Sequence, residues 1–406
     1  MNAKKISLAR AKELSSSIND FMAFKQKALR QLKGNKEAYL ENKAKLLTHF
    51  NANEDDWNDW HWQMRNRIVD VETLVKFIHL SQDEVQDVKK LSKTNRFAIV
   101  PYYLALITSE KNDPIKMLSV PSKGEYAVDL GKEDPMAEEF TNPAGSITRR
   151  YPDRLIINVT NICAMYCRHC QRRRLIGETD AHTNQSLIDE SIEYIKNTPE
   201  IRDVLITGGD AFLLSDHQIE ALLKRLRAIN HVEIIRFGTR TPVTMPMRIT
   251  DKLVNILKQY HPIYVNTQFN HYYELTDESI HAAEKLVNNG VVLGNQAVLL
   301  KGINDDKYIM TMLNQRLLTA RIKPYYIFHA KEVKGTHHFI PTIAKGLEIM
   351  AYMRGHTSGL AIPTYIFNAP GGLGKIPLLP QYIISHEDNV YHIKTWEGKI
   401  IEYIEQ

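Results

Sequence analysis

The chain has 406 residues, 43% of them hydrophobic, with 52 basic against 47 acidic side chains and a formal charge of +5; that length can bury a substantial core, so one large catalytic domain with appendages is expected. The slight basic bias is spread along the chain rather than gathered in a tail, which argues against nucleic acid as the main partner. No apolar run is long enough to span a bilayer, and the opening MNAKKISLARAKELSSS lacks the apolar core of a secretory signal, so a cytoplasmic protein with no membrane partner is expected.

Residues 1–140 read as a charged helical region. Ala3–Leu32 and Lys36–Phe50 carry apolar residues at helical spacing among many lysines, which predicts arms packed on the main domain or on another subunit. The aromatics of Asp56-Trp57-Asn58-Asp59-Trp60-His61-Trp62 predict a helix-packing interface, with an exposed binding platform as the alternative. Pro101-Tyr102-Tyr103, Gly131 and Gly145 suggest connection and boundary.

From Leu155 the pattern changes to short β-branched runs alternating with amphipathic helices. Strands are predicted near Leu155–Val159, Val204–Thr207, Ile234–Gly238, Ile263–Gln268, Val291–Leu299 and Tyr325–Phe328. Helices are predicted at Gln185–Lys196, Asp216–Ala228, Asp251–Tyr260, Asp277–Asn288 and Asp305–Ala320. Such alternation implies an α/β fold with a parallel sheet and right-handed crossovers. Six units over residues 141–340 suit an incomplete (β/α)6 barrel rather than the closed eight-fold form. Residues 341–406 form an α+β extension expected to close over the barrel mouth: a helix at Thr342–Met353, then Ile362–Phe367, a glycine-rich turn, and strand-like Tyr382–Ser385, Val390–Thr395 and Ile400–Ile404.

All three cysteines, Cys163, Cys167 and Cys170, fall in the loop after the first predicted strand, spaced C-x3-C-x2-C. Their clustering fits a reducing compartment in which thiols serve metals. Three thiolates can hold a cubic iron–sulfur cluster and leave one iron open to a further ligand. A zinc site completed by His169 and a chance cluster of thiols are the competing readings. Near the C-terminus, Asn368-Ala369-Pro370-Gly371-Gly372-Leu373-Gly374-Lys375 presents a lysine on a glycine-rich turn. Glycine lets a backbone approach a ligand closely, and a desolvated lysine can form a Schiff base with pyridoxal 5′-phosphate. On this stretch alone, an ordinary surface turn is the alternative.

The cysteine loop resembles the signature of the radical S-adenosylmethionine enzymes. In these the open iron chelates the amino and carboxylate groups of S-adenosylmethionine, and an electron from the cluster splits it to methionine and a 5′-deoxyadenosyl radical. RRYPDR at 149–154, CRHCQRRR at 167–174 and APGGLGK at 369–375 narrow the likeness to the aminomutases of the lysine 2,3-aminomutase family, an isomerase family, from about Asp56 onward. The resemblance implies an open barrel with chemistry at the C-terminal strand ends and a [4Fe-4S] cluster on Cys163, Cys167 and Cys170. It further implies pyridoxal 5′-phosphate on Lys375 and an external electron donor such as flavodoxin or ferredoxin. It gives the cofactor's phosphate to Arg150, Tyr151 and Arg154, unless these form an ordinary basic loop, and the α-carboxylate of an amino-acid substrate to Arg172. Arg173 and Arg174 stay unassigned. Gly208, Gly209 and Asp210, after the second strand, resemble the element that meets the amino group of S-adenosylmethionine, and Gln296, on the fifth strand, lines the cofactor site. Gln268 stands where the lysine enzymes carry histidine, and Leu373 where they carry glycine, so no role is carried over to Gln268. Lysine-type relatives assemble partly through zinc on cysteines that this chain lacks, so a homo-oligomer would rest on the N-terminal arms or the tail.

The substrate is decided at two positions. Where lysine enzymes hold the substrate's distal ammonium with two aspartates, this chain has Lys331 and Asn368. A like-charge contact near 4 Å costs roughly 4 kcal/mol at an effective dielectric near 20, whereas an ammonium and an amide donor suit a distal carboxylate. The combination resembles the glutamate-type members and implies conversion of L-glutamate to 3-aminoglutarate. Aspartate is one methylene short, and alanine would leave Lys331 unpaired. A lysine-type aminomutase and a noncatalytic zinc-binding scaffold are the alternatives, as is a Lys331 that merely points to solvent.

Overall fold

The computed structural model describes residues 2–405. Its centre is a nine-stranded sheet in sequential order, built from β1 (Ile147–Thr148), β2 (Arg154–Asn158), β3 (Asp203–Thr207), β4 (Ile234–Gly238), β5 (Ile263–Thr267), β6 (Val292–Leu299), β7 (Lys323–His329), β8 (Thr364–Ala369) and β9 (Gly374–Pro377). β2 to β8 run parallel, in the register Leu155↔Val204, Ile206↔Phe237, Phe237↔Val265 and so on round to Phe328↔Ile366. β1 and β9 are antiparallel edges, and they do not pair with each other, so the barrel stays open.

The expected six parallel strands are thus all present, and a seventh joins them. β8 was assigned above to the tail, yet it extends the parallel run beyond residue 340 and carries Asn368 on the barrel wall. Its helix, Ile343–His356, packs on Lys307–Thr319 as one more crossover helix.

Helix starts follow local chemistry. Ser215 and Gln218 form a capping box at Asp216–Arg227, and Thr250, Thr276 and Thr342 each accept a backbone N–H three residues on. Strands β2, β3 and β4 alternate half-buried with fully buried residues. The fully buried side, with Leu155, Ile157, Val204, Ile206, Ile235 and Phe237, belongs to the main core; the other side faces a hollow lumen, which is why it keeps some exposure.

The N-terminal arms break at Ile18, giving helices Ala3–Ser17 and Asn19–His49, rather than near Gly34 as the pattern suggested. Ser16 and Ser17 turn their hydroxyls onto the Lys12 and Leu14 carbonyls, a competition that weakens a helix end. Gly34 costs the helix about 1 kcal/mol, offset by burial of Phe21, Ala28, Tyr39 and Leu46 along the same helix. Trp57 and Trp62 are buried in helix packing, as expected. Pro101–Ala105, read above as a boundary, is a wholly buried short helix started by its proline. Beyond β9 the tail ends in a separate antiparallel sheet of β10 (Ile383–Glu387), β11 (Val390–Lys394) and β12 (Ile400–Ile404).

Candidate active site

One cavity of about 300 Å³ lies at the C-terminal ends of the parallel strands. It gathers every residue singled out from the sequence: Cys163, Cys167 and Cys170, Arg150, Tyr151, Arg154, Arg172, Gly208, Gly209, Asp210, Gln296, Lys331, Asn368 and Lys375. Residues as distant in sequence as Arg150 and Lys375 line one cavity because Arg150 follows β1 and Lys375 lies in β9, the two edge strands of the same open barrel.

The cysteine loop leaves β2 and is anchored from several sides. Arg67 donates to the Cys163 carbonyl at 3.0 Å, and Arg168 and Arg173 share the buried Glu125 carboxylate at 2.6 Å. The Arg172 N–H donates to Cys170 Sγ at 3.3 Å. Burial pushes the Cys163 and Cys170 thiols up, and the neighbouring sulfurs add to the shift. Cys163 and Cys170 therefore resist ionisation until a cationic centre neutralises them, which fits a metal centre such as an iron–sulfur cluster. Among the described residues no three Cys, His, Asp or Glu side chains close on a single ion. His169 has Asn270 near Nε2 at 3.5 Å and stands edge-on to Phe339.

Gly208 and Gly209 are required by close packing under this loop. A Cβ on Gly208, whose φ is +137°, would lie 2.4 Å from the Thr160 carbonyl, and one on Gly209 2.4 Å from that of Ile162. Asp210, which with Gly208 and Gly209 resembles the element that meets the amino group of S-adenosylmethionine, lines the cavity. Its carboxylate takes the Phe212 N–H at 3.1 Å, the Arg240 N–H at 2.8 Å and the Thr239 hydroxyl, so Asp210 ties the end of β3 to the end of β4. Neighbouring side chains on β6 divide: Asn295 bonds the Phe269 backbone in both directions, and Gln296 lines the cavity.

Lys375 and Asn368 are directly opposite on β9 and β8, so both side chains share one face. The glycine turn before Lys375 docks on an earlier segment, where the Gly371 N–H donates to the Pro135 carbonyl at 2.9 Å. The Lys375 N–H donates to the Tyr151 hydroxyl at 3.1 Å. The Lys375 ammonium stands 5.6 Å from the rings of Tyr151 and Tyr326. Although the side chain is reachable through the hollow, burial and the cations Arg236, Arg154 and Arg150 lower its pKa to about 8, which suits an amine that must act as a nucleophile.

Arg154 stacks 3.9 Å over Tyr151 and pairs with Asp153 at 2.8 Å. Arg150 Nε is buried without a partner. That orphan donor beside Tyr151 and Arg154 fits a phosphate group.

Sequence reading missed Glu138. Its carboxylate is 8% exposed and lies between Arg150 at 2.8 Å, Arg172 at 2.9 Å and Arg174 at 3.3 Å. It is held down to about 2, burial opposing the shift and the arginines outweighing it, Arg172 first. Glu138 clamps Nε and Nη2 of Arg172, leaving Nη1 for a ligand. No periodicity or spacing marks it; only its position before RRYPDR could have drawn notice.

Lys331 lies just beyond β7 with no salt-bridge partner among the described residues. Burial, then Arg172 and Arg150, lower its pKa to about 7. Asn368 Nδ2 is buried and unpartnered. Only two carboxylates line the cavity, Glu138 and Asp210, and both are taken by protein donors.

A profile described as Radical SAM superfamily matches residues 157–313, and one described as Lysine-2,3-aminomutase matches residues 350–406. The chain is 56% identical to the glutamate 2,3-aminomutase of Clostridioides difficile (strain 630) over 399 residues, 98% of this chain and 94% of that one. It is 48% identical to the L-lysine 2,3-aminomutase of Acetoanaerobium sticklandii, covering 89% and 88% of the two chains, and 47% identical to that of Clostridium subterminale, covering 87% and 86%. The chain belongs to the lysine 2,3-aminomutase family of radical S-adenosylmethionine enzymes. It is an isomerase that uses a [4Fe-4S] cluster and S-adenosylmethionine, with a small-molecule substrate and an external reductant. No helix among the described residues is long and apolar enough to cross a membrane.

Proposed function

We propose that the enzyme is a glutamate 2,3-aminomutase, converting L-glutamate to 3-aminoglutarate with pyridoxal 5′-phosphate on Lys375 as a further cofactor. The observation that carries the reading is the unpaired Lys331 ammonium lining the same cavity as the orphaned Asn368 amide. A buried donor without a partner costs about 1–3 kcal/mol, a cost relieved when a carboxylate enters. A substrate with a distal ammonium would find no free acid, since Glu138 and Asp210 are already bonded. The Clostridioides difficile relative that is 56% identical carries the same activity in its name.

Cys163, Cys167 and Cys170 hold the cluster, and Arg150, Tyr151 and Arg154 hold the phosphate. When bound, the cluster with S-adenosylmethionine would supply a hydrogen-abstracting radical, and pyridoxal 5′-phosphate a conjugated ring that delocalises the unpaired electron while the nitrogen migrates. Gly208, Gly209 and Gln296 line the S-adenosylmethionine side, where Asp210 acts by fixing the loops. Arg172, steadied by Glu138, orients the α-carboxylate through Nη1, and Lys331 with Asn368 fixes the far carboxylate. Two-point anchoring places C2 and C3 at the reacting centre, and Tyr326 and Phe328 help wall it from water. The net change exchanges the amino group on C2 with a hydrogen on C3, so no atom or electron is gained or lost.

A homo-oligomer belongs to the same reading. Helix Ala3–Ser17 buries none of its residues, and the terminal sheet exposes Ile383, Ile400, Ile401 and Ile404.

Anaerobically reconstituted enzyme offered L-glutamate, L-lysine, L-aspartate and L-alanine in parallel tests the substrate. Turnover is expected with L-glutamate, and robust turnover of L-lysine with none of L-glutamate would refute the assignment.

A further inference from the structure

Arg240, just beyond β4, lines the cavity beside the cysteine loop and is 7% exposed. Its guanidinium is fixed on two edges. Nε donates to the Gln268 carbonyl at 3.1 Å, and Nη2 donates to Glu274 Oε1 at 2.6 Å and to the Tyr103 hydroxyl at 3.2 Å. Glu274 is fully buried, and it also takes the Tyr103 hydroxyl at 2.7 Å and the N–H groups of Asn270 and His271 at 2.6 and 3.0 Å. The remaining terminal nitrogen, Nη1, donates to Cys167 Sγ at 2.8 Å. Among the described residues it is the one side chain that donates to a cysteine sulfur. A guanidinium so held has no alternative orientation, and its free N–H is aimed at a single sulfur. Fold stability alone does not call for it, because apolar packing often replaces a buried ion pair without loss.

We propose that Arg240 is a positioning residue for the iron–sulfur cluster, setting its reduction potential through a charge-assisted N–H···S bond to the Cys167 thiolate. The inference rests on Cys163, Cys167 and Cys170 being the cluster ligands, and it is independent of the choice of substrate. One-electron reduction by the external donor adds negative charge that is shared between iron and its sulfur ligands. A fixed cation and donor at one ligand stabilises the reduced cluster more than the oxidised one and raises the potential. Arginine keeps its proton throughout the working range, so the contribution does not vary with pH.

The test compares reconstituted wild type, Arg240→Lys, and the pair Arg240→Met with Glu274→Gln, which leaves no uncompensated buried charge. Iron and sulfide are assayed first, and the midpoint potential is then measured by a reductive titration followed by electron paramagnetic resonance without S-adenosylmethionine. The paired variant is expected to hold wild-type iron and sulfide with a more negative midpoint, and Arg240→Lys to fall between. An unchanged midpoint in loaded variants overturns the proposal. Should the variants fail to load, wild type grown with guanidino-15N arginine decides: the reduced cluster should show a 15N coupling, and its absence overturns the proposal equally. The guanidino label is needed because the Arg172 backbone N–H also meets a sulfur, Cys170 Sγ. A wild type that takes up no iron defeats the ligand assignment itself, a result distinct from an unshifted midpoint.

Discussion

The cavity has two kinds of wall. Around the cysteine loop, buried charges are closed on protein partners: Asp210 on three donors, Glu274 on Arg240, Tyr103 and two backbone N–H groups, Glu125 on Arg168 and Arg173. Around β7 to β9 the opposite holds. Lys331 has no counter-ion, Asn368 Nδ2 has no acceptor, and Lys331 and Lys375 are both shifted down, to about 7 and about 8. Proteins rarely leave buried polar groups unpaired. The wall whose charges are saturated is therefore scaffold that holds a cofactor's surroundings rigid, although His169 Nδ1 and Gln171 Oε1 in the cysteine loop are themselves buried without a partner. The wall of unpaired cations, the unsaturated one, is where a ligand completes the bonding.

The largest effect is expected on the saturated side. Glu274→Ala strands the Arg240 cation, and removing one partner of a buried pair costs about 3–5 kcal/mol, read from urea unfolding of the metal-free protein. On the unsaturated side the effect should fall on choice of substrate rather than on folding. Lys331→Asp with Asn368→Asp replaces attraction by repulsion, and roughly 4 kcal/mol corresponds to a fall of about 10³-fold in kcat/KM for L-glutamate, with L-lysine turnover as the gain to look for. An equal fall in stability would erase the distinction between the walls.

A smaller effect concerns pH. Glutamate needs Lys331 charged, and the free ammonium titrates at about 7. Binding to enzyme already loaded with pyridoxal 5′-phosphate should therefore weaken above pH 7, approaching about tenfold per pH unit. The same depressed pKa means that the unfolded chain binds the extra proton between about 7 and 10.5, so this group favours folding more as pH rises. In Lys331→Arg the weakening of binding should disappear, because arginine stays charged; calorimetric titration of glutamate across pH 6 to 9 checks both.

Much of the framework was legible in the chain. The C-x3-C-x2-C spacing, the β-branched runs and the Ser and Thr caps are local signals, and the strands they predict lie within a residue or two of those observed, as at Ile234–Gly238. The polarity at 331 and 368 could also be read directly, because a cation and an amide in place of two acids change sign whatever the fold.

Tertiary structure decided the rest. β8 looked like tail because a strand's membership of a sheet depends on its neighbours and not on its own residues. Gly34 stayed helical because packing on either side outweighed its propensity. That Asp210 also ties the ends of β3 and β4 together was not legible in Gly208-Gly209-Asp210, because its donors lie on another strand and loop. Glu138 and Arg240 carry no motif, and their roles exist only where loops from distant strands converge. Sequence alone determined which chemical groups were available and which strands would form; the three-dimensional arrangement determined which of those groups were already bonded and which were left free, since a hydrogen bond is a property of two positions in space.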